Sequence, residues 1–165
     1  MKRKPFLLTA FFAVLTLLFT ACPYSSSISL GEAKEAVDAS LFGNWYSVSD
    51  DSEHPYYYQL ADIDGKTFSV KKFEYNESDA EYDKTDSYKA HFTTIDGTKF
   101  LNLFQNDTYY FYKLEFTSTD TFKLQEVTDN IEETFDTSDA MYKFFKTYKN
   151  LSFFYTKGPE SYQKR

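Results

Sequence analysis

Cysteine is almost missing from this 165-residue chain. With Cys22 alone, no internal disulfide can form, so any folded domain must be held by packing. Histidine is nearly as scarce, at two residues, His54 and His91. No Ser-His-Asp or Cys-His pattern can be assembled around them, and no two carboxylates are marked out by spacing for acid–base work. The five glycines form no phosphate-cradling or dinucleotide-binding loop. Asp50, Asp51, Glu53 and His54 cluster without metal-ligand spacing and read as a solvated loop. The sequence therefore points away from an enzyme, with no catalytic residue, metal site or cofactor assigned.

What is present begins with a leader. Lys2, Arg3 and Lys4 precede an apolar run from Phe6 to Phe19, and Thr20-Ala21-Cys22 supplies small residues after it. This is the layout of a secretory signal peptide over residues 1–21, and the run is short for a membrane-spanning helix. Phe19-Thr20-Ala21-Cys22 resembles the bacterial lipobox, which implies lipidation of Cys22 and a membrane partner reached through an N-terminal lipid anchor. Pro23 follows the cysteine where an aspartate would signal inner-membrane retention, so the expected location is the cell envelope, at the outer membrane. Three of the 18 basic residues lie in the leader. The exported chain would then carry 15 basic against 25 acidic side chains, a net of −10, which opposes binding to nucleic acid.

Residues 22–40 read as a lipidated tether, flexible at Ser25-Ser26-Ser27, with Glu32 to Val37 able to form a short helix. From residue 41 to 165 the pattern is a single domain of period-two segments. Tyr56, Tyr58 and Leu60 alternate with Tyr57, Gln59 and Ala61, and Tyr110, Tyr112, Leu114 and Phe116 form the cleanest strand. Asp64-Gly65, Asp96-Gly97 and Asn106-Asp107 are hairpin turns. Phe73 and Tyr75 are out of phase with Phe68 and Val70, which suggests a β-bulge at Lys71-Lys72. Asn76 to Ser87 reads as a long polar loop, and Ile131 to Phe135 and Ser152 to Thr156 as further strands. In Ser138 to Asn150 the period changes. Met141, Phe144, Phe145 and Tyr148 fall at helical spacing, with Thr137 or Ser138 as N-cap and Asn150 as a left-handed C-cap. Short strands in consecutive order make a meander, and closure removes its edges. The expected fold is all-β: an antiparallel up-and-down eight-stranded barrel with one C-terminal α-helix packed on it.

Phe42-Gly43-Asn44-Trp45-Tyr46, opening the first strand, together with the meander and the helix after it, resembles the lipocalin and calycin superfamily, and within it the bacterial lipocalin-like lipoproteins. That resemblance implies a lipocalin-like barrel closed around Trp45.

Thirty aromatic residues remain beyond the leader, half of them tyrosine. They serve either to line a ligand cavity or simply to fill a strand-rich core. On the first reading Trp45, Tyr56, Tyr58, Tyr110 and Tyr112 are the candidate ligand-binding residues. The functional expectation is non-covalent binding of a small hydrophobic ligand or an envelope component. The alternative is a protein–protein module, an inhibitor or assembly factor, whose barrel is solidly packed.

Overall fold

A computed structural model describes residues 23–128, 130–156 and 158–165. The leader and Cys22 lie outside these residues. Among the described residues there are nine strands: β1 (Ser25–Ser26), β2 (Gly43–Ser47), β3 (Tyr57–Asp62), β4 (Thr67–Asn76), β5 (Glu81–Ile95), β6 (Thr98–Gln105), β7 (Thr108–Ser118), β8 (Thr121–Glu126) and β9 (Glu160–Lys164). The helix α1 (Ser138–Tyr148) falls between β8 and β9.

From β2 to β8 each strand pairs antiparallel with the next, and β9 bonds to both β8 and β2. The result is a closed eight-stranded up-and-down barrel, consistent with a lipocalin-like fold. The two-residue β1 pairs with the first half of β7, beside the point where β8 stops. No helix among the described residues is long and apolar enough to cross a membrane.

Turn chemistry accounts for much of the meander. Asp96-Gly97 and Asn106-Asp107 both take positive φ at the two central positions, the requirement for tight hairpins that match strand twist. At Asp64-Gly65 only the glycine is left-handed. There Asp64 instead accepts hydrogen bonds from the Lys66 and Thr67 amides, at 3.1 and 2.7 Å.

Between β4 and β5 the chain departs from the expected loop and bulge. The expected loop at Asn76 to Ser87 is mostly strand, turning at residues 77–80. The bulge lies on the partner strand: Lys72 pairs with Asp86 and Phe73 with Lys84, so Thr85 is the extra residue. β4 therefore keeps its alternation through Lys72 and Glu74. Phe73 and Tyr75 face outward. The hairpin tip extends past its β3 and β6 neighbours and is studded with Glu81, Asp83, Lys84 and Asp86, charges that discourage edge pairing.

Two apolar clusters lie on opposite sides of the barrel wall. The inner one includes Trp45, Leu60, Phe68, Phe92, Leu101, Leu114 and Phe122. The outer one lies under α1 and joins Met141 and Phe145 to Ile95, Phe100, Phe111, Val127 and Phe154. Burial on both faces explains why Phe100-Leu101-Asn102-Leu103 reads as a continuous run without alternation. Thr137 caps α1, its hydroxyl accepting from the Ala140 amide at 3.2 Å. At the other end Lys146 and Lys149 reach the carboxylate of Asp96, at 3.1 and 3.6 Å. The helix ends through a right-handed cap at Lys149, without the expected left-handed Asn150.

Residues 23–35 lie along the outer wall, and residues 36–41 pass beneath the barrel floor, where Val37 and Leu41 join the inner core. Ser25 and Ser26 pair with Tyr110 and Tyr109, and Tyr24 and Leu30 join the outer core. The fully buried Asn102 accepts a hydrogen bond from the Leu30 amide (3.0 Å) and donates to Thr93 Oγ1 (3.2 Å). Glu35 bonds to the Thr94 backbone amide and hydroxyl and pairs with Lys99 at 3.2 Å. No helix forms at residues 32–37; a single 3-10 turn, Ala39–Leu41, leads into β2. Ile131 to Phe135 is irregular, and Ser152–Phe154 is a second 3-10 turn.

Candidate functional site

The floor of the barrel is built by the Gly-x-Trp stretch. Trp45 is fully buried, and its Nε1–H donates to the Leu41 carbonyl at 2.7 Å. Phe122 packs on the indole at 4.5 Å between ring centroids. From β9, the Lys164 ammonium lies 5.6 Å from the indole centroid and donates to the Ser40 carbonyl at 2.6 Å. Gly43 is required here for two reasons. Its φ is +132°, and a Cβ would sit 3.0 Å from Lys164 Cε.

Above the floor the lumen is not filled. A cavity of about 330 Å³ runs between Leu41 and Phe122 at the bottom and exposed Glu74, Gly158 and Glu160 at the opening. Its shaft is apolar: Leu60, Phe68, Val70, Phe92, Leu101, Leu103 and Leu114. The mouth is amphipathic, made by Tyr56, Tyr58, Tyr88, Tyr112 and Tyr162 with Lys72, Glu74, Glu126 and Glu160. Two grooves of about 440 Å³ occur elsewhere, one along Pro23–Ser27 and residues 131–135, the other beneath the floor at Ala36, Asp38 and Phe116. Both are more open to solvent than the lumen and lack its enclosing ring of strands.

At the mouth, Tyr162 donates to Glu160 Oε2 at 2.8 Å, and its hydroxyl oxygen lies 3.1 Å from that of Tyr56. Burial pushes the Tyr162, Tyr112 and Tyr58 hydroxyls far above the usual phenol range, with nearby carboxylates adding to the shift. These phenols therefore stay protonated, and Tyr162 uses its proton to hold Glu160 at the entrance. Glu126 accepts from the Thr156 hydroxyl at 3.0 Å. Lys72 pairs with Glu74 and lies 4.9 Å from the Tyr56 ring centroid. No ion pair among the described residues engages Glu126 or Glu160.

Of the residues singled out in the sequence, Tyr56, Tyr58 and Tyr112 line this cavity. Tyr110 packs on the inner cluster without forming the cavity wall, and Trp45 sits behind the floor. Lys72, Glu74, Glu126 and Glu160 were missed. Their signal is parity: Lys72 and Glu74 continue the Phe68–Val70 face, and Glu126 continues Phe122–Leu124.

The other polar residues have local roles. Asp50 organises the β2–β3 loop, accepting from the Ser52 and Tyr56 amides at 3.0 Å each; these bonds, the Ser52 contact foremost, hold its carboxyl below the usual range. His54 stacks on Tyr75 at 3.8 Å. His91 is buried on the outer face, where a ring N–H meets the Gly31 carbonyl at 2.9 Å. Among the described residues, no three or more His, Cys, Asp and Glu side chains come together as a metal site. Compared with known proteins, the chain matches no family model, no curated protein and no solved structure.

Proposed function

We propose that this chain is a lipocalin-like lipoprotein of the cell envelope, held at the outer membrane through acylated Cys22, and that its barrel carries a small, mainly apolar ligand non-covalently. One observation carries the reading: the lumen retains about 330 Å³ that the side chains leave open, an apolar shaft beneath a polar mouth, in the size range of small-ligand pockets. A protein whose barrel served only as a scaffold would gain stability by filling that space. No catalytic step is assigned.

Native mass spectrometry of the full chain extracted from its own membrane tests the carrier. The reading expects a co-purifying small molecule that is lost when Leu103→Trp fills the shaft. Retention of the same adduct in that variant would refute lumenal carriage. The anchor is tested separately by incorporation of radioactive palmitate, which Cys22→Ala should abolish.

A second reading is favoured by one feature of the outer wall. Tyr46, Tyr57, Phe73, Tyr82 and Tyr75 form a ladder across β2 to β5 with centroid separations of 4.8 to 5.3 Å, extended by Arg165 over Tyr46. Half-buried tyrosines of this kind suit a protein partner. A stoichiometric protein in the same spectrum, with no small-molecule adduct, would select that reading.

A further inference from the structure

We infer that the mouth of the lumen recognises the head of a small organic cation, an alkylammonium whose short apolar tail fills the shaft. The inference rests on the carrier reading above and assigns its ligand class.

Three rings at the mouth are mutually inclined. Tyr56 meets Tyr58 at 85° and 5.9 Å and Tyr162 at 69° and 6.3 Å, while Tyr58 and Tyr162 lie 5.4 Å apart at 57°. All three rings line the lumen, and an aromatic face there attracts an ammonium group. One ammonium already lies on a ring there: Lys72 Nζ is 4.9 Å from the Tyr56 centroid. The charge balance points the same way. Lys72 is matched by Glu74, which leaves Glu126 and Glu160 without an ionic partner among the described residues. Their hydrogen bonds come from the neutral hydroxyls of Thr156, Tyr162 and Tyr56, which orient the carboxylates without neutralising them.

A fatty carboxylate entering this mouth would meet like charge at Glu126 and Glu160, whereas an ammonium would meet opposite charge and ring faces together. The apolar shaft below demands a hydrocarbon tail. The cavity's size, near the lower end of the ligand-pocket range, keeps that tail short.

Isothermal titration of the full chain with octyltrimethylammonium, octanol and octanoate, each below its micelle concentration, tests the assignment. The expected order is the cation tightest at one per chain, the alcohol weaker, the carboxylate undetectable. Glu126→Gln and Glu160→Gln should each weaken the cation roughly five- to tenfold and leave octanol unchanged. Lys72→Gln, which removes the competing ammonium, should tighten the cation; this opposite direction separates electrostatics from damage to the fold. Equal binding of all three probes, or insensitivity of the cation to all three substitutions, would overturn the cation assignment while leaving the carrier reading intact. Failure of every probe to bind would overturn both.

Discussion

Replacing Trp45 by Phe probes the floor of the barrel with the smallest change. Phe keeps the aromatic contact to Phe122 but removes the Nε1–H that reaches the Leu41 carbonyl at 2.7 Å in a fully buried site. Leaving that carbonyl unpaired costs about 1–3 kcal/mol. The missing second ring leaves a void worth roughly 1 kcal/mol more. The expected loss is therefore about 2–4 kcal/mol, a large part of the 5–15 kcal/mol that holds a typical domain. Urea unfolding followed by far-ultraviolet circular dichroism should show the midpoint falling by about 1–2 M at an unchanged slope. Lys164→Met in the same background isolates the ammonium–indole contact, with an expected coupling of about 0.5–1 kcal/mol. A Trp45→Phe loss below about 1 kcal/mol would mean that the Gly-x-Trp stretch does not close the barrel as described.

The remaining substitutions test other parts of the structure. Phe145→Ala should cost about 3–5 kcal/mol, because the ring is fully buried among Phe100, Phe111 and Phe154, yet leave lumenal binding unchanged below the new melting temperature. Loss of binding in that folded variant would show that the two cores are not independent. Gly43→Ala should destabilise the barrel, since φ of +132° and the approach of Lys164 both oppose a side chain; a neutral result by thermal melting would contradict this. Stability should also fall on mild acidification. Burial holds the His91 pKa below its ordinary value, so as pH drops through about 6.5 the unfolded chain binds a proton that the native state does not. The loss begins there and levels off once pH passes the folded value. His91→Gln, which can still donate to Gly31, should flatten the melting temperature between pH 7 and 5; an unchanged slope would assign the effect elsewhere.

How much was legible depended on whether a residue's local chemistry matched its final place. The paired turn residues Asp96-Gly97 and Asn106-Asp107 fix hairpins by themselves, so β5 to β7 could be read directly. The helix was legible because its apolar stripe faces one core. β9 was not, because Tyr162 is the one buried side chain in Glu160–Lys164 and a single apolar position carries no period. The tip of the β4–β5 hairpin was hidden for a related reason: beyond the barrel rim its polar residues have no core face to alternate against. The outer path of residues 23–35 was set by Asn102, His91 and Lys99, partners 60 or more residues away in the sequence from Leu30, Gly31 and Glu35. The cavity tyrosines Tyr56, Tyr58 and Tyr112 followed from alternation, but the charged rim needed parity carried past the last apolar residue of each strand.

Xenon pressurisation of crystals of the folded domain tests the open lumen most directly, since unfilled space between apolar side chains, such as the lower shaft, takes up the gas. The account predicts xenon density in the shaft between Phe68, Leu101 and Leu114, lost in Leu103→Trp. A shaft closed by its own side chains, with no density at any pressure, would contradict it.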